Sequence, residues 1–349
     1  MKPCRIAVIG AGTIGKTHIL NALQSPEIEL VGVAESNPSA VEWVKAHGLP
    51  CVDTHTQLLS QFKPDGVVVA TPNDLHARMS LDALDAGSAV LVEKPIADSL
   101  EDARSIQAAS LRTGLPVLVG HQRRHNPIMQ QAKSMVDQGR LGKPVCVTGM
   151  ATWYKDEAYF EPAWRRTLVG GPVLINLIHD VDLMRFLFGD ILSVQAMTSN
   201  ATRGFEVEDT AVMIFRFANG ALGTFTLSDT AVAPWNYDLA AQETIRFPQQ
   251  EVGALFFSGT QGSLSLPRLD FWHYEGERHW ERPITVTRTL PLSQSPYRLQ
   301  LANFVQVIQG LATPVCSALD GLRALEVAWA VRESAQSGRP VEFRHEHRP

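Results

Sequence analysis

The run Ile6-Ala7-Val8-Ile9-Gly10-Ala11-Gly12-Thr13-Ile14-Gly15-Lys16-Thr17-His18 decides the fold. It opens on β-branched apolar residues and passes through Gly-x-Gly-x-x-Gly. Ile14, Ile19, Leu20 and Leu23 then follow at helical spacing. Each glycine has a physical job in a strand-to-helix turn that holds a dinucleotide. Gly10 permits the tight turn, Gly12 lets a pyrophosphate approach the backbone, and Gly15 lets helix and strand pack closely. Thr13 and Ile14 begin the helix, whose free N–H groups and partial positive charge suit a diphosphate. A second apolar run, Leu30-Val31-Gly32-Val33-Ala34, ends in Glu35, twenty residues past Gly15. A carboxylate there accepts hydrogen bonds from the adenosine ribose. A Gly-rich turn alone also has a purely structural reading; strand, turn, helix and acid together predict a dinucleotide site. Glu35 would repel a 2′-phosphate, and Ser36-Asn37-Pro38 supplies no cation to neutralise one, so NAD is favoured over NADP. Ser36 and Asn37, as phosphate hydrogen-bonders, keep the alternative open.

Helix and strand patterns alternate as far as residue 120. Strand candidates at 5–9, 29–34, 66–70, 89–92 and 116–119 are separated by helical stretches near 14–24, 38–47, 56–61, 74–86 and 99–112. That spacing gives βαβ units and a parallel sheet with right-handed crossovers. Val67-Val68-Val69-Ala70 is apolar on both faces, as a sheet covered on both sides requires. Ligands of such sheets lie beyond the carboxyl ends of the strands. After the third strand come Thr71, Pro72, Asn73 and His76. Thr71 and Asn73 are placed to bond a ribose or phosphate, or to form a proline turn with an Asx cap. After the fourth come Glu93 and Lys94, with Lys94–Pro95 a candidate cis peptide. Burial and a neighbouring cationic ring would lower the lysine pKa toward proton transfer. The alternative is a solvated loop lysine. The fifth strand delivers Gln122 and Arg123, the latter either a ligand contact or an ion-pair partner.

The second half has another rhythm. A helix near 127–139 precedes strand-like stretches at 145–154, 191–200, 208–217, 221–229, 239–246, 252–258 and 263–266, with more within 268–289. Asn219-Gly220 between two of these runs signals a hairpin. The pattern reads as a largely antiparallel α+β domain. A chain of 349 residues has room for two domains, here 1–123 and 124–349. A helix over Val173–Phe188 interrupts the strands, with Pro172 suited to its start. Asn176, His179 and Asp180 fall at i, i+3 and i+4 and share a face. Taken alone, His179 reads as a core histidine. Trp164 and Arg165 precede that helix, either as filler and carbonyl cap or as ligand contacts. Trp153-Tyr154-Lys155, Ala233-Pro234-Trp235-Asn236 and Tyr297 supply aromatic and polar groups for a sugar-sized pocket, or for a core. A helix over 319–337 ends at Gly338 with Pro340 beyond.

Bulk composition narrows the class. With 45% hydrophobic and 19% charged residues the chain reads as an ordinary globular protein. A net charge of −5 gives no electrostatic footprint for nucleic acid. No apolar run reaches membrane-spanning length, and the first strand begins too early for a signal peptide. Cys4, Cys51, Cys146 and Cys316 lie far apart with no CxxC, which reads as reduced thiols in a cytoplasmic protein. His345 and His347 read as frayed solvent residues, and no zinc-ligand spacing is present, so no metal is expected.

The segments GAGTIGKTH (10–18), ATPNDLH (70–76), EKPIA (93–97), GHQRRHNP (120–127), AWRR (163–166) and GGPVLINLIHDVD (170–182) resemble, in order, those of the Gfo/Idh/MocA oxidoreductases. The likeness in length and layout covers nearly the whole chain. It implies an N-terminal Rossmann domain and a C-terminal domain on a large, mostly antiparallel open sheet. One sheet face would make subunit contacts in a homodimer or homotetramer, and the 319–337 helix would pack back on the first domain. It also implies NAD(P)-dependent hydride transfer to or from a secondary alcohol of a sugar, polyol or related cyclic compound. By the same resemblance Lys94 is the general acid–base and His179 holds the substrate hydroxyl, oriented by Asn176 or Asp180. Gly10, Gly12, Thr13, Ile14, Gly15, Glu35, Ser36, Thr71, Pro72, Asn73, His76, Glu93, Lys94, Gln122 and Arg123 would face the cofactor. Trp164 and Arg165 would reach its nicotinamide end or the substrate, and Arg123, Tyr154 and Trp235 the substrate. One position departs from the pattern. Many members carry Asp four residues before this histidine, where the chain has Ile175, and the nearest polar group is Asn176. An NAD-dependent glycosidase and a non-catalytic dinucleotide-binding regulator are the rival readings. Lys94 counts against the first, and Lys94 with His179 against the second.

Overall fold

The structure, a computed structural model, describes residues 2–241, 243 and 246–343. Two units form. One holds the chain up to Asn126 with Gln294–Leu325, the other Pro127–Ser293 with the residues from Glu326 on. A single cut after residue 123 therefore misses the return of 294–325 to the first unit.

The first unit is built on strands β1 (Cys4–Ile9), β2 (Ile28–Ala34), β3 (Cys51–Val52), β4 (Gly66–Val69), β5 (Ala89–Val92) and β6 (Val117–Val119). They are all parallel, in the order β3-β2-β1-β4-β5-β6. The order reverses between β1 and β4, which sets the turns after these two strands side by side at a switch point. Every residue of β4 and β5 is buried, because helices cover both sheet faces. Those helices are α1 (Thr13–Leu23), α2 (Pro38–Ala46), α3 (His55–Phe62), α4 (His76–Asp85) and α5 (Leu100–Thr113). Asn37, Thr54 and Ser99 cap α2, α3 and α5 with side-chain oxygens, whereas α1 starts at Gly12 with no side-chain cap. The two-residue β3 escaped the sequence reading.

In the second unit α6 (Pro127–Asp137) leads into β7 (Pro144–Thr152). After α7 (Ile178–Phe188) come β8 (Ile191–Ser199), β9 (Thr210–Phe217) and β10 (Leu222–Ser228). A short α8 (Tyr237–Ala240) then precedes β11 (Leu255–Gly259), β12 (Gly262–Leu266), β13 (Asp270–His273) and β14 (Thr285–Arg288). The nine-stranded sheet runs β14-β13-β12-β11-β7-β10-β9-β8-β15, with β15 at Val341–Glu342. Among the described strands of this sheet only β7 and β10 pair in parallel, so the sheet is mixed and mostly antiparallel, as expected. The Asn219-Gly220 hairpin is present, with Gly220 at φ +88° in the left-handed region its turn needs. Among the described residues of 239–246, where a strand is expected, none is in a strand. Asn236 caps helix α8 instead, and residues 242, 244 and 245 lie outside the described ones. His345 and His347 also lie outside them.

The returning segment carries α9 (Pro296–Ile308), whose Leu301, Phe304 and Val305 join the core of the first unit. A last helix, α10 (Ala318–Ser337), begins in the first unit, where a Cβ at Gly321 would stand 2.6 Å from Val119. It ends in the second, where Ser334 accepts the Ala196 N–H at 3.0 Å. Among the described residues no helix is long and apolar enough to cross a membrane, and no His/Cys/Asp/Glu group is arranged to hold a metal.

Candidate functional site: a dinucleotide pocket and a polar cluster

At the switch point the three fingerprint glycines divide their work by distance. A Cβ at Gly10, whose φ is +92°, would sit 2.5 Å from the Ala70 carbonyl oxygen, so that residue brings the two turns together. A Cβ at Gly15 would stand 2.0 Å from the Gly10 carbonyl oxygen. At Gly12 nothing lies within 4 Å. That open space belongs to a pocket of about 640 Å³ whose lining includes Gly10, Gly12, Glu35, Ser36, Thr71 and Pro72. The Glu35 carboxylate is pinned by three backbone donors: Ala11 N–H at 2.7 Å, and Ser36 and Asn37 N–H at 2.8 Å. Thr71 Oγ1 is buried without a partner among the described residues, and the exposed Asn73 amide makes no hydrogen bond among them. The expected Asx cap from Asn73 is absent. An uncapped α1, room at Gly12 and an unsatisfied hydroxyl at Thr71 fit a diphosphate-bearing dinucleotide. Asp53, Thr54 and His55 also line the pocket. The sequence reading missed them because only the brief β3 positions them.

Two residues expected on the cofactor also make buried contacts within the first unit. Glu93 is buried with Oε1 2.7 Å from His18 Nε2, while Oε2 accepts the Lys94 N–H at 3.3 Å. Burial alone would raise its pKa, but the His18 hydrogen bond and the His18 and Lys94 charges outweigh it and hold the carboxyl below its ordinary value. Gly120 leaves room for that carboxyl, since a Cβ there would meet it at 2.8 Å. His76 is buried with Nδ1 2.8 Å from the Pro95 carbonyl oxygen and Nε2 2.9 Å from that of Thr71. Its ring sits between the turn after β4 and the turn after β5; burial lowers its pKa, and in the neutral form it donates to one of the two carbonyls at a time. Beside Glu93, Lys94 emerges half-buried from β5, its bond to Pro95 cis. Gln122 and Arg123 are buried in a 3₁₀ turn after β6. The neighbouring Arg124 is held by the Val315 carbonyl at 2.9 Å and by Asp320 at 3.3 Å.

In the second unit the expected helix over 173–188 opens as a π-helical turn, Val173–Leu177, before α7 proper. Its first N–H groups have no local cap. Glu208 supplies one from a distant loop, accepting the Val173 N–H at 3.1 Å, and a Cβ at Gly171 would lie 2.4 Å from that carboxylate. His179, Asp180 and Asp182 are buried, and Asn176 is partly exposed. Asn176 Oδ1 accepts a hydrogen bond from Lys155 Nζ at 2.8 Å. Lys155 in turn lies 3.7 Å from Asp229 Oδ2, with the two side chains only 10% and 3% exposed. Its ammonium sits over the Tyr159 ring at 4.4 Å. Burial pulls the Lys155 pKa down to about 8, aided by the Arg203 and Arg165 charges and opposed by Asp229. Burial also pushes Asp229 up, against Lys155 and Arg203. Arg203 ties the cluster, donating to Asp229 Oδ1 at 3.2 Å and to the Lys155 and Asp229 carbonyls at 2.7 Å. Arg165 donates to the Tyr159 carbonyl at 2.5 Å and lies over the Tyr159 and Trp164 rings. Its Nε is buried without a partner among the described residues. Tyr154, Trp164 and Trp235 are about half exposed, so none of them is core filler. Tyr297 belongs to the first unit, edge-on to His18 at 5.8 Å. The role of Lys155 went unread because its partners lie far along the chain.

A parallel sheet with a glycine-lined nucleotide pocket at its switch point, followed by a unit on a large mixed sheet, defines a nicotinamide-dinucleotide oxidoreductase. Two family descriptions match the chain: the oxidoreductase family with NAD-binding Rossmann fold over residues 4–121, and the GFO/IDH/MocA C-terminal domain over 129–265. The chain belongs to the Gfo/Idh/MocA oxidoreductase family. It is similar to the scyllo-inositol 2-dehydrogenase (NAD(+)) of Bacillus subtilis (strain 168), 28% identical over 97% of this chain and 96% of that one. A second relative is the 1,5-anhydro-D-fructose reductase of Ensifer adhaerens, 27% identical over 97% and 98%. Among solved structures, the WlbA dehydrogenase of Bordetella pertussis in complex with NADH and UDP-GlcNAcA superposes with a TM-score of 0.80. It is 26% identical, over 99% of this chain and all of that one.

Proposed function

We propose that this oxidoreductase interconverts a secondary alcohol and a ketone on a polyol, sugar or related cyclic hydroxylated compound, with NAD as its dinucleotide. The observation that carries the reading is Lys94, which leaves β5 half-buried beside Glu93, at the carboxyl edge of the sheet whose β1, β2 and β4 ends line the nucleotide pocket. When bound, the nicotinamide accepts or returns the hydride. Lys94 takes the hydroxyl proton in oxidation and gives it back in reduction, help of roughly 10²–10⁴-fold. His179 holds the hydroxyl oxygen, Asn176 and Asp180 set its geometry, and Arg123, Tyr154, Trp164, Arg165 and Trp235 contact ligand around them. Glu35 and Asp53 at the pocket put two carboxylates where a 2′-phosphate would sit, which supports NAD over NADP. The full-length relatives named for inositol and anhydrofructose support the substrate class.

Self-association as a homodimer or homotetramer is supported by the exposed residues Met197, Val212, Ile214 and Leu222, which lie on adjacent strands β8, β9 and β10. Cysteines that form no disulfide among the described residues support a cytoplasmic setting. The test is NADH absorbance on a panel of inositols, sugars and sugar acids. Steady NADH release on at least one member is expected, and Lys94→Ala lowers kcat/KM about 10²–10⁴-fold while NADH affinity stays within about twofold. Loss of both would make Lys94 structural. Aglycone release without net NADH would turn the reading to a glycosidase, and no turnover with intact NADH binding to a regulator.

A further inference from the structure

We propose that Lys155 is a positioning residue that locks the side-chain amide of Asn176 with Nδ2 outward, so that a substrate oxygen meets an N–H donor there. The inference rests on the reading that Asn176 faces substrate. An ammonium group has donors only, so at 2.8 Å it bonds the amide oxygen and never the nitrogen. That contact settles which end of the amide is which. The Nδ2 hydrogens make no hydrogen bond among the described residues, and Asn176 is partly exposed, so they are left for a ligand. An amide held this way suits a ketone oxygen or a hydroxyl lone pair. An aspartate at 176 would instead pair with Lys155 and offer acceptors alone.

Lys155 is itself held firmly. Asp229 lies on one side, with Tyr159 and Trp153 ring faces at 4.4 and 5.6 Å. Arg203 anchors both the Lys155 carbonyl and the Asp229 carboxylate. Taking one partner out of a buried ion pair usually destabilises a protein, because the other charge is left behind. Arg203 keeps its bond to Asp229 Oδ1 after such a change, while Oδ2 loses the ammonium. The orientation of the Asn176 amide and the substrate KM read the positioning role apart from that loss of stability.

The full chain would be compared with Lys155→Met, Lys155→Arg and Asn176→Asp. In uniformly deuterated protein with ¹⁵N-asparagine, the Asn176 side-chain NH₂ pair is the signal lost in Asn176→Asp. Lys155→Met is expected to shift that pair or broaden it, and Lys155→Arg to restore a narrow pair. With NAD and the best polyol of the panel, Lys155→Met should lose about tenfold in kcat/KM, carried by KM, the amount one neutral hydrogen bond supplies. Whatever its melting temperature, its NADH affinity should stay within about twofold, and Lys155→Arg should recover to within about threefold. An NH₂ pair unmoved in Lys155→Met overturns the inference whatever the panel does. So does a kinetic loss matched by an equal loss of NADH affinity. A panel with no turnover counts against the proposed function, while the spectra of the unliganded protein still decide for or against the lock.

Discussion

Alanine at Gly12 and alanine at Gly15 should damage different properties. At Gly15 the added Cβ stands 2.0 Å from the Gly10 carbonyl oxygen, and ordinary contact begins near 3.4 Å, so the helix must retreat by about 1.4 Å. The obstacle cannot rotate away, because it is backbone at the end of β1, tied by the Gly10 N–H to the Ala34 carbonyl at 2.9 Å. Retreat of α1 would loosen the buried His18, Ile19 and Ala22. Overpacking costs about 1–3 kcal/mol, and a backbone obstacle belongs at the upper end. Helix propensity returns about 1 kcal/mol. The net loss of about 2 kcal/mol lowers the melting temperature by roughly 4–8 °C in a unit of this size. At Gly12 the φ of −67° is open to alanine and the new methyl meets no protein atom. A poorer N-cap and a less flexible unfolded chain nearly cancel, leaving stability within about 0.5 kcal/mol. The methyl does enter the nucleotide pocket, and loss of one charge-assisted N–H contact to phosphate costs about 1.5–3 kcal/mol, or roughly 10- to 150-fold in Kd. Thermal melts of the ligand-free variants and NADH fluorescence titrations read the two effects separately. A Gly12→Ala protein that melts low yet binds NADH normally, or a Gly15→Ala protein with an unchanged melt, would refute the assignment.

Acid sensitivity should trace to Glu93. Because its folded pKa lies below the ordinary 4.5, its ionised form adds stability above that value, and the contribution is lost as pH falls through the folded pKa. Urea midpoints should therefore drop more steeply from about pH 5 to pH 3 in the wild type than in Glu93→Gln; equal slopes would show that the His18 contact contributes nothing. If the proposed oligomer forms through the exposed residues of β8, β9 and β10, Ile214→Arg is expected to yield monomer by light scattering and to speed thiol labelling at the exposed Cys146 beside Leu222. An oligomer that survives the substitution assembles through another surface.

The legible parts of this chain are those in which several local signals coincide. Strand, glycine turn, helix and acid all fall within residues 6–35, so β1, α1, β2 and the pocket at Gly12 and Glu35 follow from neighbours in sequence. Helix α9 was harder to read although Ser295 caps it and Pro296 opens it. Gln300 and Asn303 lie on its buried side among Leu301 and Phe304, which blurs the apolar stripe. In the site, the residues whose protein contacts are not legible in the sequence share a cause. Glu93 and His76 stand at strand ends where ligands bind, yet their hydrogen-bonding capacity is already taken by His18, 75 residues away, and by the carbonyls of Thr71 and Pro95. Lys155 meets Asn176 across 21 residues, at a π turn that breaks the helical period used to group Asn176 with His179. Spacing places a polar side chain at a site. Whether it faces ligand or braces the fold depends on which distant donors and acceptors reach it first, and only tertiary packing fixes that.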